Sequence, residues 1–186
     1  NEFYKKRIDE SGLNPDKITD VSQISKLPFT SKDDLRDNYP FGLFCTQLSQ
    51  VVRIHASSGT TGNLTVVGYT SEDLDVWAAC LARIMYDTGV RKEDIVQVSH
   101  TFGLFTGGFG FQYAAEKLGA LVVPISGGNT ERQLKIMADF KTTVLANTPS
   151  YTLYMAEVAE KEGVDFSKLH LKLGFLGAEP WTEPMR

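Results

Sequence analysis

The spacing of hydrophobic residues changes near Val51, where short apolar runs begin to alternate with amphipathic stretches. The runs are rich in valine, isoleucine and leucine, which is typical of buried β-strands. Six such runs predict strands, at 51–56, 64–69, 95–99, 121–125, 143–146 and 171–176. Because helical patterns separate most of these runs, the alternation predicts an α/β layer architecture.

The strongest helical pattern covers 72–87, and it has Thr70 as a candidate N-cap and Gly89 as a candidate stop. Its apolar residues repeat at helical spacing. They are Leu74, Trp77, Ala78, Leu81, Ile84 and Met85. We expect this whole stripe, including Trp77, to face the core.

Two later helices begin with capping signals directly after a predicted strand. The run 130–133, Thr-Glu-Arg-Gln, has the form of a capping box. Thr148 followed by Pro149 places a capping hydroxyl before a proline at the first helical position. Both starts predict that the chain turns from a strand into a helix at these points.

The first fifty residues predict connecting helices and loops without a chemical motif. A short helix over 3–11 is stopped by Gly12, and Ser31 with Asp34 three residues later is a candidate cap for another helix. The sequence contains no internal repeat, low-complexity tract or linker. The predicted organisation is a helical and loop region over 1–50 and an α/β region over 51–186, within one contiguous domain fragment.

Composition narrows the classes of function. The 186 residues are 42% hydrophobic and 23% charged, which is enough to bury one core. The net charge of −4 predicts no general attraction to nucleic acid or an anionic membrane. The residues His55, His100, His170, Cys45 and Cys80 lack metal-ligand spacing. Since signal-peptide and membrane-spanning patterns are also missing, we expect a soluble cytoplasmic protein with small-molecule partners and no metal ligands of its own.

The strongest local motif lies between the first two predicted strands. It consists of Ser57, Ser58, Gly59, Thr60, Thr61 and Gly62. Two glycines let backbone N–H groups approach an anion, and four hydroxyls add donors for phosphate oxygens. By composition alone, a hairpin without a ligand fits slightly better. A Walker A loop needs a lysine directly after its second glycine and then a helix, whereas Asn63 and a strand follow here, so the P-loop of kinases and GTPases is disfavoured.

The order of the motifs carries more information than any one of them. The chain has LPFT at 27–30, DLRDNYPFG at 34–42, SSGTTG at 57–62, GLFTGG at 103–108, SGGNTERQ at 126–133, TPSY at 148–151 and GAEPW at 177–181. This set resembles the AMP-forming acyl- and aryl-CoA ligases, and within them the phenylacetate-CoA ligase branch. SSGTTG alone identifies only the superfamily, whereas the ordered set with GAEPW is much more specific to this branch.

The resemblance implies an α/β fold that is part of the large N-terminal domain of an adenylate-forming enzyme, with a mostly parallel sheet flanked by helices. It implies that phenylacetate or a close aryl acid attacks the α-phosphate of ATP and that the thiol of CoA then displaces AMP, with Mg²⁺ as cofactor. Because the substrates themselves attack, the protein supplies position and hydrogen-bond donors. Two alternatives stay open, a paralogue for another carboxylate or acceptor and a nucleotide-binding module without turnover. A homodimer of the full-length enzyme is also left open.

Carried over residue by residue, the resemblance assigns the SSGTTG loop to the β- and γ-phosphates, with Thr60 and Thr61 as the leading donors. The residues assigned to the adenine are Gly177, Ala178, Glu179 and Pro180. They follow a predicted strand, and open α/β sheets bind ligands beyond the carboxyl ends of their strands. The side chain of Glu179 has the alternative interpretation of a solvated loop carboxylate.

The resemblance also assigns Phe102, Gly103 and Phe105 to the aryl-acid pocket. Glycines beside aromatic rings leave room for a flat ligand and let the backbone approach it. For Phe109 and Phe111 we prefer another interpretation, in which a glycine-rich helix packs closely on the sheet. The predicted pocket therefore lies before this helix.

Catalytic residues are harder to assign. His100 either orients the substrate carboxylate or is a hydrogen-bonded structural histidine. The family commonly has Lys-Pro where this chain has Asn63 and Leu64, which predicts weaker ATP binding by the same loop. The magnesium and ribose ligands and the catalytic lysine are expected beyond Arg186. We therefore expect this chain alone to be inactive.

Overall fold

The computed structural model describes residues 1–57 and 62–185. The chain forms two compact units, Asn1–Glu72 and Asp73–Arg186. The change of hydrophobic spacing falls at Val51, whereas the boundary between the two units falls after Glu72. The N-terminal unit therefore contains the first two strands in addition to the N-terminal helices.

The N-terminal unit combines helices with a β-hairpin. Its elements are α1 (Glu2–Glu10), α2 (Lys32–Asp37), β1 (Arg53–Ser57) and β2 (Thr65–Tyr69), with 3-10 turns at Pro15–Lys17, Val21–Lys26 and Leu48–Gln50. The predicted cap of α2 is confirmed, because Ser31 and Asp34 form a complete capping box. Arg7 of α1 donates a hydrogen bond to Asp34 Oδ1 at 2.7 Å, which joins the two helices.

The hairpin pairs antiparallel, from Arg53 opposite Tyr69 to Ser57 opposite Thr65. Gly68 is required in β2, since a Cβ atom there would lie 2.6 Å from the ring of Phe44. The absence of this side chain lets the segment before β1 pack closely on the hairpin.

The C-terminal unit alternates helices and strands. Its elements are α3 (Ser71–Asp87), β3 (Ile95–Val98), α4 (Gly107–Leu118), β4 (Leu121–Val123), α5 (Thr130–Asp139), β5 (Val144–Asn147), α6 (Pro149–Lys161) and β6 (Leu173–Leu176), with 3-10 turns at Phe166–Lys168 and Glu183–Met185. The predicted strands of both units all form close to their predicted limits. Apolar runs bounded by turn residues therefore located the strands correctly.

The sheet of the C-terminal unit is parallel and has the order β4-β3-β5-β6. The connection after β3 leads to one side of that strand, and the connection after β4 returns to its other side. The order therefore changes direction between β3 and β5, where open α/β sheets form a crevice beyond the carboxyl ends of the strands. The expected parallel sheet flanked by helices is confirmed.

Two hydrophobic clusters cover the faces of this sheet. The first includes Met85 of α3 and Ala114 of α4 together with Val96 and Val98 of β3. The second consists of Leu134, Met137, Leu145, Met155, Val158 and Ala159, most of them on α5 and α6. Side chains alternate between the faces along each strand, so the fully buried Gln97 points away from the first cluster.

The expected core stripe of α3 is confirmed only in part. Ala78 and Met85 are buried, and Ala82 is buried with them, whereas Ile84 is 54% exposed. The three buried residues follow i, i+4 and i+7 spacing and define one face. Each helical residue is rotated by about 100° from the previous one, which carries Ile84 beyond the edge of that face.

The predicted capping box of α5 is wrong. The N-cap is Asn129, whose side chain accepts a hydrogen bond from the N–H of Arg132, and Thr130 is the first helical residue. Asn129 has φ of 47°, a left-handed conformation that asparagine adopts more easily than β-branched threonine. Gln133, which the box would turn back toward the helix start, is instead fully buried.

The start of α6 is confirmed, but its capping group is a different one. Thr148 is the N-cap and Pro149 opens the helix, yet the Thr148 side chain forms no capping hydrogen bond. Glu179 Oε1 accepts from the N–H of Ser150 at 2.5 Å in its place. A carboxylate suits this position, because it lies at the positive end of the helix dipole.

Candidate functional site

A cleft of about 260 Å³ lies at the carboxyl edge of the parallel sheet. Its lining residues are Ser99, His100 and Thr101 after β3, Gly127 and Gly128 in the loop after β4, and Asn147, Thr148 and Tyr151 from the end of β5 into α6. These segments meet where the strand order changes direction. The cleft therefore occupies the position at which open α/β sheets bind ligands.

His100 lies in the wall of this cleft and is 8% exposed. Its ring stacks on Phe111 with centroids 5.6 Å apart and an angle of 6° between the planes. Burial lowers the pKa of His100 below its ordinary value. The imidazole is consequently neutral at physiological pH and presents one N–H donor and one acceptor nitrogen.

The other polar groups of the cleft are neutral as well. Asn147 is 1% exposed at the end of β5, and the Tyr151 hydroxyl lies 3.0 Å from Thr130 Oγ1. Among the described residues, the lining includes no Asp, Glu, Lys or Arg. Neutral donors in a partly enclosed site stabilise negative charge that develops on a bound group.

Asn147 and Tyr151 were not singled out from the sequence. Tyr151 belongs to the TPSY motif, which served only to support the resemblance. The sequence contains a signal for Tyr151, because a residue on the first turn of a helix that directly follows a strand lies beside the carboxyl end of the sheet.

The residues predicted for the aryl-acid pocket are separated in the structure. Phe102 packs on the first core cluster and meets Phe109 edge to face at 5.1 Å, whereas Phe105 is 55% exposed. Gly103 has φ of 147°. Within the described chain, the lining of the cleft does not include these three predicted residues, so their contact with a substrate stays a prediction.

The helix packing expected for Phe109 and Phe111 has direct support in Phe111. This residue of α4 packs against the first core cluster. Its ring centroid lies 5.5 Å from that of Phe175 in β6. Gly108 permits a similarly close approach on the same helix, since a Cβ atom there would lie 3.1 Å from the Phe102 ring.

The segment predicted to lie against adenine follows β6 directly. The N–H of Gly177 donates to the carbonyl of Asn147 at 3.2 Å, which continues the strand pairing. Ala178 has φ of 72°, a costly conformation for a residue with a side chain and one often found at ligand sites. Pro180 is exposed.

Glu179 has a specific structural partner and is not simply a solvated carboxylate. Its hydrogen bond to Ser150 lowers the pKa of the carboxyl group below the ordinary value. Glu179 therefore fastens the predicted adenine segment to the start of α6.

The predicted phosphate loop belongs to the N-terminal unit. Ser57 ends β1 opposite Thr65, and Gly62 has φ of 139°. Ser58, Gly59, Thr60 and Thr61 lie outside the described residues. Phosphate binding by this loop stays a prediction.

Two hydroxyls beside this loop are buried. Ser57 Oγ and Thr65 Oγ1 form no hydrogen bond within the described part of the chain. Buried polar atoms are nearly always paired in folded proteins, so a polar partner is expected at this end of the hairpin. Thr65 was missed from the sequence, although its place opposite Ser57 follows from the register of the hairpin.

Across residues 1–57 and 62–185, no group of three or more His, Cys, Asp or Glu side chains is placed to hold a metal ion. Within the same ranges, no helix has the length and apolar character needed to cross a membrane.

The fold is that of adenylate-forming CoA ligases. An open conformation of 2-hydroxyisobutyryl-CoA ligase in complex with 2-HIB-AMP and CoA aligns with a TM-score of 0.88 and 30% identity, over 96% of this chain and 43% of that one. A long-chain-fatty-acid-CoA ligase from Archaeoglobus fulgidus has the same fold, with a TM-score of 0.57 and 23% identity over 73% of this chain and 26% of its own. No family model matches the chain.

Sequence similarity narrows this class to one branch. The chain is 50% identical over 184 residues to the phenylacetate-coenzyme A ligase of Pseudomonas putida, and 49% identical over 185 residues to that of Escherichia coli K12. Each match covers 99% of this chain but only 42% of the relative. The resemblance to the phenylacetate-CoA ligase branch is confirmed, and the chain spans less than half the length of these relatives.

Proposed function

We propose that the chain is part of an AMP-forming CoA ligase for phenylacetate or a close aryl acid. The similarity at 50% identity over 184 residues to a phenylacetate-coenzyme A ligase carries this proposal. In the proposed reaction, a carboxylate oxygen attacks the α-phosphorus of ATP and pyrophosphate leaves. The CoA sulfur then attacks the acyl carbon of the adenylate, the thioester forms, and AMP leaves.

The cleft at the carboxyl edge of the sheet is suited to the carboxyl end of the substrate. Its donors are neutral, and they include His100 with a pKa lowered by burial. A neutral imidazole N–H can donate to a carboxylate oxygen without forming an ion pair that would suppress its nucleophilicity. We therefore assign His100 the role of orienting the carboxylate.

Two segments that the resemblance assigns to the nucleotide have local support, each within its own compact unit. The buried hydroxyl of Ser57 supports phosphate binding by the SSGTTG loop. The left-handed Ala178 beyond β6 supports a ligand contact by the Gly177–Pro180 backbone. No described cluster of carboxylates fits a magnesium site, so we assign no ligand to Mg²⁺ and derive no step from it.

The decisive experiment uses the protein from the complete coding sequence. It is incubated with ATP, magnesium, CoA and one carboxylate, either phenylacetate or 2-hydroxyisobutyrate, and AMP and thioester are measured. We expect thioester formation with a higher kcat/KM for phenylacetate. Preference for 2-hydroxyisobutyrate would favour another carboxylate, and adenylate formation without thioester would favour another acceptor. Nucleotide binding without turnover of any substrate would favour a binding module.

The phosphate loop has its own test, Thr61→Val, which keeps the side-chain shape and removes one hydroxyl. A hydrogen bond to a charged group is worth roughly 1.5–3 kcal/mol, so kcat/KM for ATP should fall by about tenfold to a hundredfold. Thioester formation from supplied aryl-AMP and CoA should fall much less. An unchanged ATP dependence in a folded variant would indicate that the motif is a hairpin that binds no ligand.

The isolated 186-residue chain is expected to form no adenylate, because the residues expected to hold magnesium and the catalytic lysine are not assignable in it. Pyrophosphate release from ATP and phenylacetate measures this directly. Release above a control without protein would contradict the expectation.

A further inference from the structure

Gln133 is a fully buried residue on the first turns of α5, and its side chain is saturated with hydrogen bonds. The amide nitrogen donates to the backbone carbonyls of Ser126 and Gly128, at 2.9 Å each. It also lies 3.1 Å from the Tyr151 hydroxyl oxygen. The amide oxygen accepts from Ser99 Oγ at 2.5 Å.

These partners belong to three different walls of the cleft. Ser99 follows β3, the Ser126–Asn129 loop follows β4, and Tyr151 lies on α6. Gln133 itself does not line the cleft within the described chain. One buried side chain therefore connects the three walls from behind.

The Ser126–Asn129 loop has a backbone that needs external support. Ser126, Gly128 and Asn129 have φ of 66°, 88° and 47°. For residues with a side chain, such conformations persist only where the surrounding structure enforces them. The two carbonyl acceptors of Gln133 lie inside this loop, so its amide is a direct source of that enforcement.

The loop also lies close to the opposite wall. A Cβ atom on Gly127 would be 2.9 Å from Thr101 Oγ1. With so little space, a small shift of the loop backbone changes the width of the cleft. The position of the loop therefore decides what the cleft accommodates.

We propose that Gln133 is a positioning residue, which holds the Ser126–Asn129 loop and the Tyr151 hydroxyl at the spacing that the carboxylate substrate requires. This inference rests on the ligase function proposed above. Gln133 acts through the loop and does not touch the substrate.

Gln97 supplies a matched control for the loss of a buried amide. It is also fully buried and accepts from Thr142 Oγ1 at 3.2 Å. Its amide nitrogen lies 3.4 Å from both the backbone oxygen and the side-chain Oε1 of Gln133. Its described hydrogen bonds do not reach Ser99, the loop or Tyr151. Gln133→Met and Gln97→Met thus remove similar groups from one network, and only the first releases the cleft walls.

The first measurement is hydrogen–deuterium exchange on the ligand-free, full-length protein. In Gln133→Met, amides in a peptide covering 125–132 should exchange about tenfold faster, because the variant lacks the buried hydrogen bonds that oppose local opening of the loop. In Gln97→Met the same peptide should change less than about threefold. Unchanged exchange in Gln133→Met, or equal acceleration in both variants, would overturn the proposal.

The second measurement is steady-state kinetics on the same proteins. Gln133→Met should raise KM for the carboxylate by about tenfold while KM for ATP stays within about threefold. Gln97→Met should change both constants little. Faster exchange in the loop without any change in the carboxylate KM would also overturn the positioning role.

Two milder variants keep the test decisive if Gln133→Met does not fold. Tyr151→Phe and Ser99→Ala each remove one partner of Gln133 and should raise the carboxylate KM in the same direction by about threefold. No change in either variant would count against the proposal. If the wild-type protein forms no thioester with any carboxylate, the proposed function fails, while the exchange result still decides whether Gln133 holds the loop.

Discussion

The two edges of the parallel sheet use polar groups in opposite ways. At the amino edge, the buried Asp94 accepts from Lys172 Nζ and Thr143 Oγ1, both at 2.8 Å, and from the N–H of Arg91 at 2.7 Å. At the carboxyl edge, the cleft is lined by neutral groups, among them His100 and Tyr151. Charge is paired within the protein at one edge, and the cleft at the other edge is lined by neutral polar groups.

This difference separates stability from binding. The ion pair between Lys172 and Asp94 joins the residue before β6 to the residue before β3. The neutral groups that line the cleft can satisfy an anionic group, since the described lining contains no carboxylate to repel it. Substitutions at the amino edge should therefore change folding, and those at the carboxyl edge should change turnover.

The largest effect is expected from His100→Phe in the full-length protein. The variant keeps a flat ring on Phe111 and removes the ring N–H. Loss of one aligned donor should lower kcat/KM for the carboxylate by about 100-fold, measured as thioester formation. The exposed His170→Phe is the control and should have no effect. A loss below about threefold for His100→Phe would indicate a structural histidine.

At the amino edge, Asp94→Asn should lower the free energy of unfolding by about 2 kcal/mol, because it weakens hydrogen bonds to a buried carboxylate. Urea denaturation measures this change, and kcat/KM of the folded variant should stay unchanged. Asp139→Asn breaks an exposed ion pair with Lys135 and should cost at most about 0.5 kcal/mol. Equal losses of unfolding free energy in the two variants would show that the buried ion pair of Asp94 contributes no more than an exposed one.

Phe105→Ala tests the aryl pocket that the sequence predicts. If the half-exposed ring contacts substrate, KM for phenylacetate should rise about tenfold while KM for ATP changes less than about twofold. Phe140→Ala is a matched control, since Phe140 is 51% exposed at the end of α5. Equal changes in both KM values would indicate that Phe105 has no substrate contact.

The smallest effect is the acid dependence of the amino edge. Burial raises the pKa of Asp94, but the hydrogen bonds from Lys172, the Arg91 N–H and Thr143 outweigh it, so the net pKa is lowered. The stabilisation is thus fully present above the unfolded value of about 3.9 and is lost as pH falls through the lower folded-state pKa.

Urea denaturation between about pH 6 and pH 3 should therefore show a stability difference between wild type and Asp94→Asn that narrows only toward the acid end. A constant difference over this range would contradict the assignment.

The features that the sequence predicted correctly depend on neighbours in the chain. Ser31 and Asp34 form their capping box within a single helical turn. The strands follow from apolar runs and the turn residues that bound them. The motifs of the resemblance likewise lie in short segments, which is why they identify the fold class from the sequence alone.

The features that the sequence did not predict depend on distant neighbours. Glu179 caps a helix that begins about thirty residues earlier in the chain. Gln133 follows Thr130 at the spacing of a capping box but is buried by contacts with Ser99 and Tyr151. Local pattern cannot anticipate such partners, because it contains no information about which strand ends meet.

By itself, the sequence determined the alternation of strands and helices, the SSGTTG loop and the branch that the chain resembles. Only the tertiary structure decided that the ends of β3 and β5 enclose a cleft of neutral donors and that Ile84 is exposed. Periodicity describes one helix or strand at a time. The cleft and the charged cluster around Asp94 arise from the order of strands in the sheet, which brings separate segments of the chain into contact.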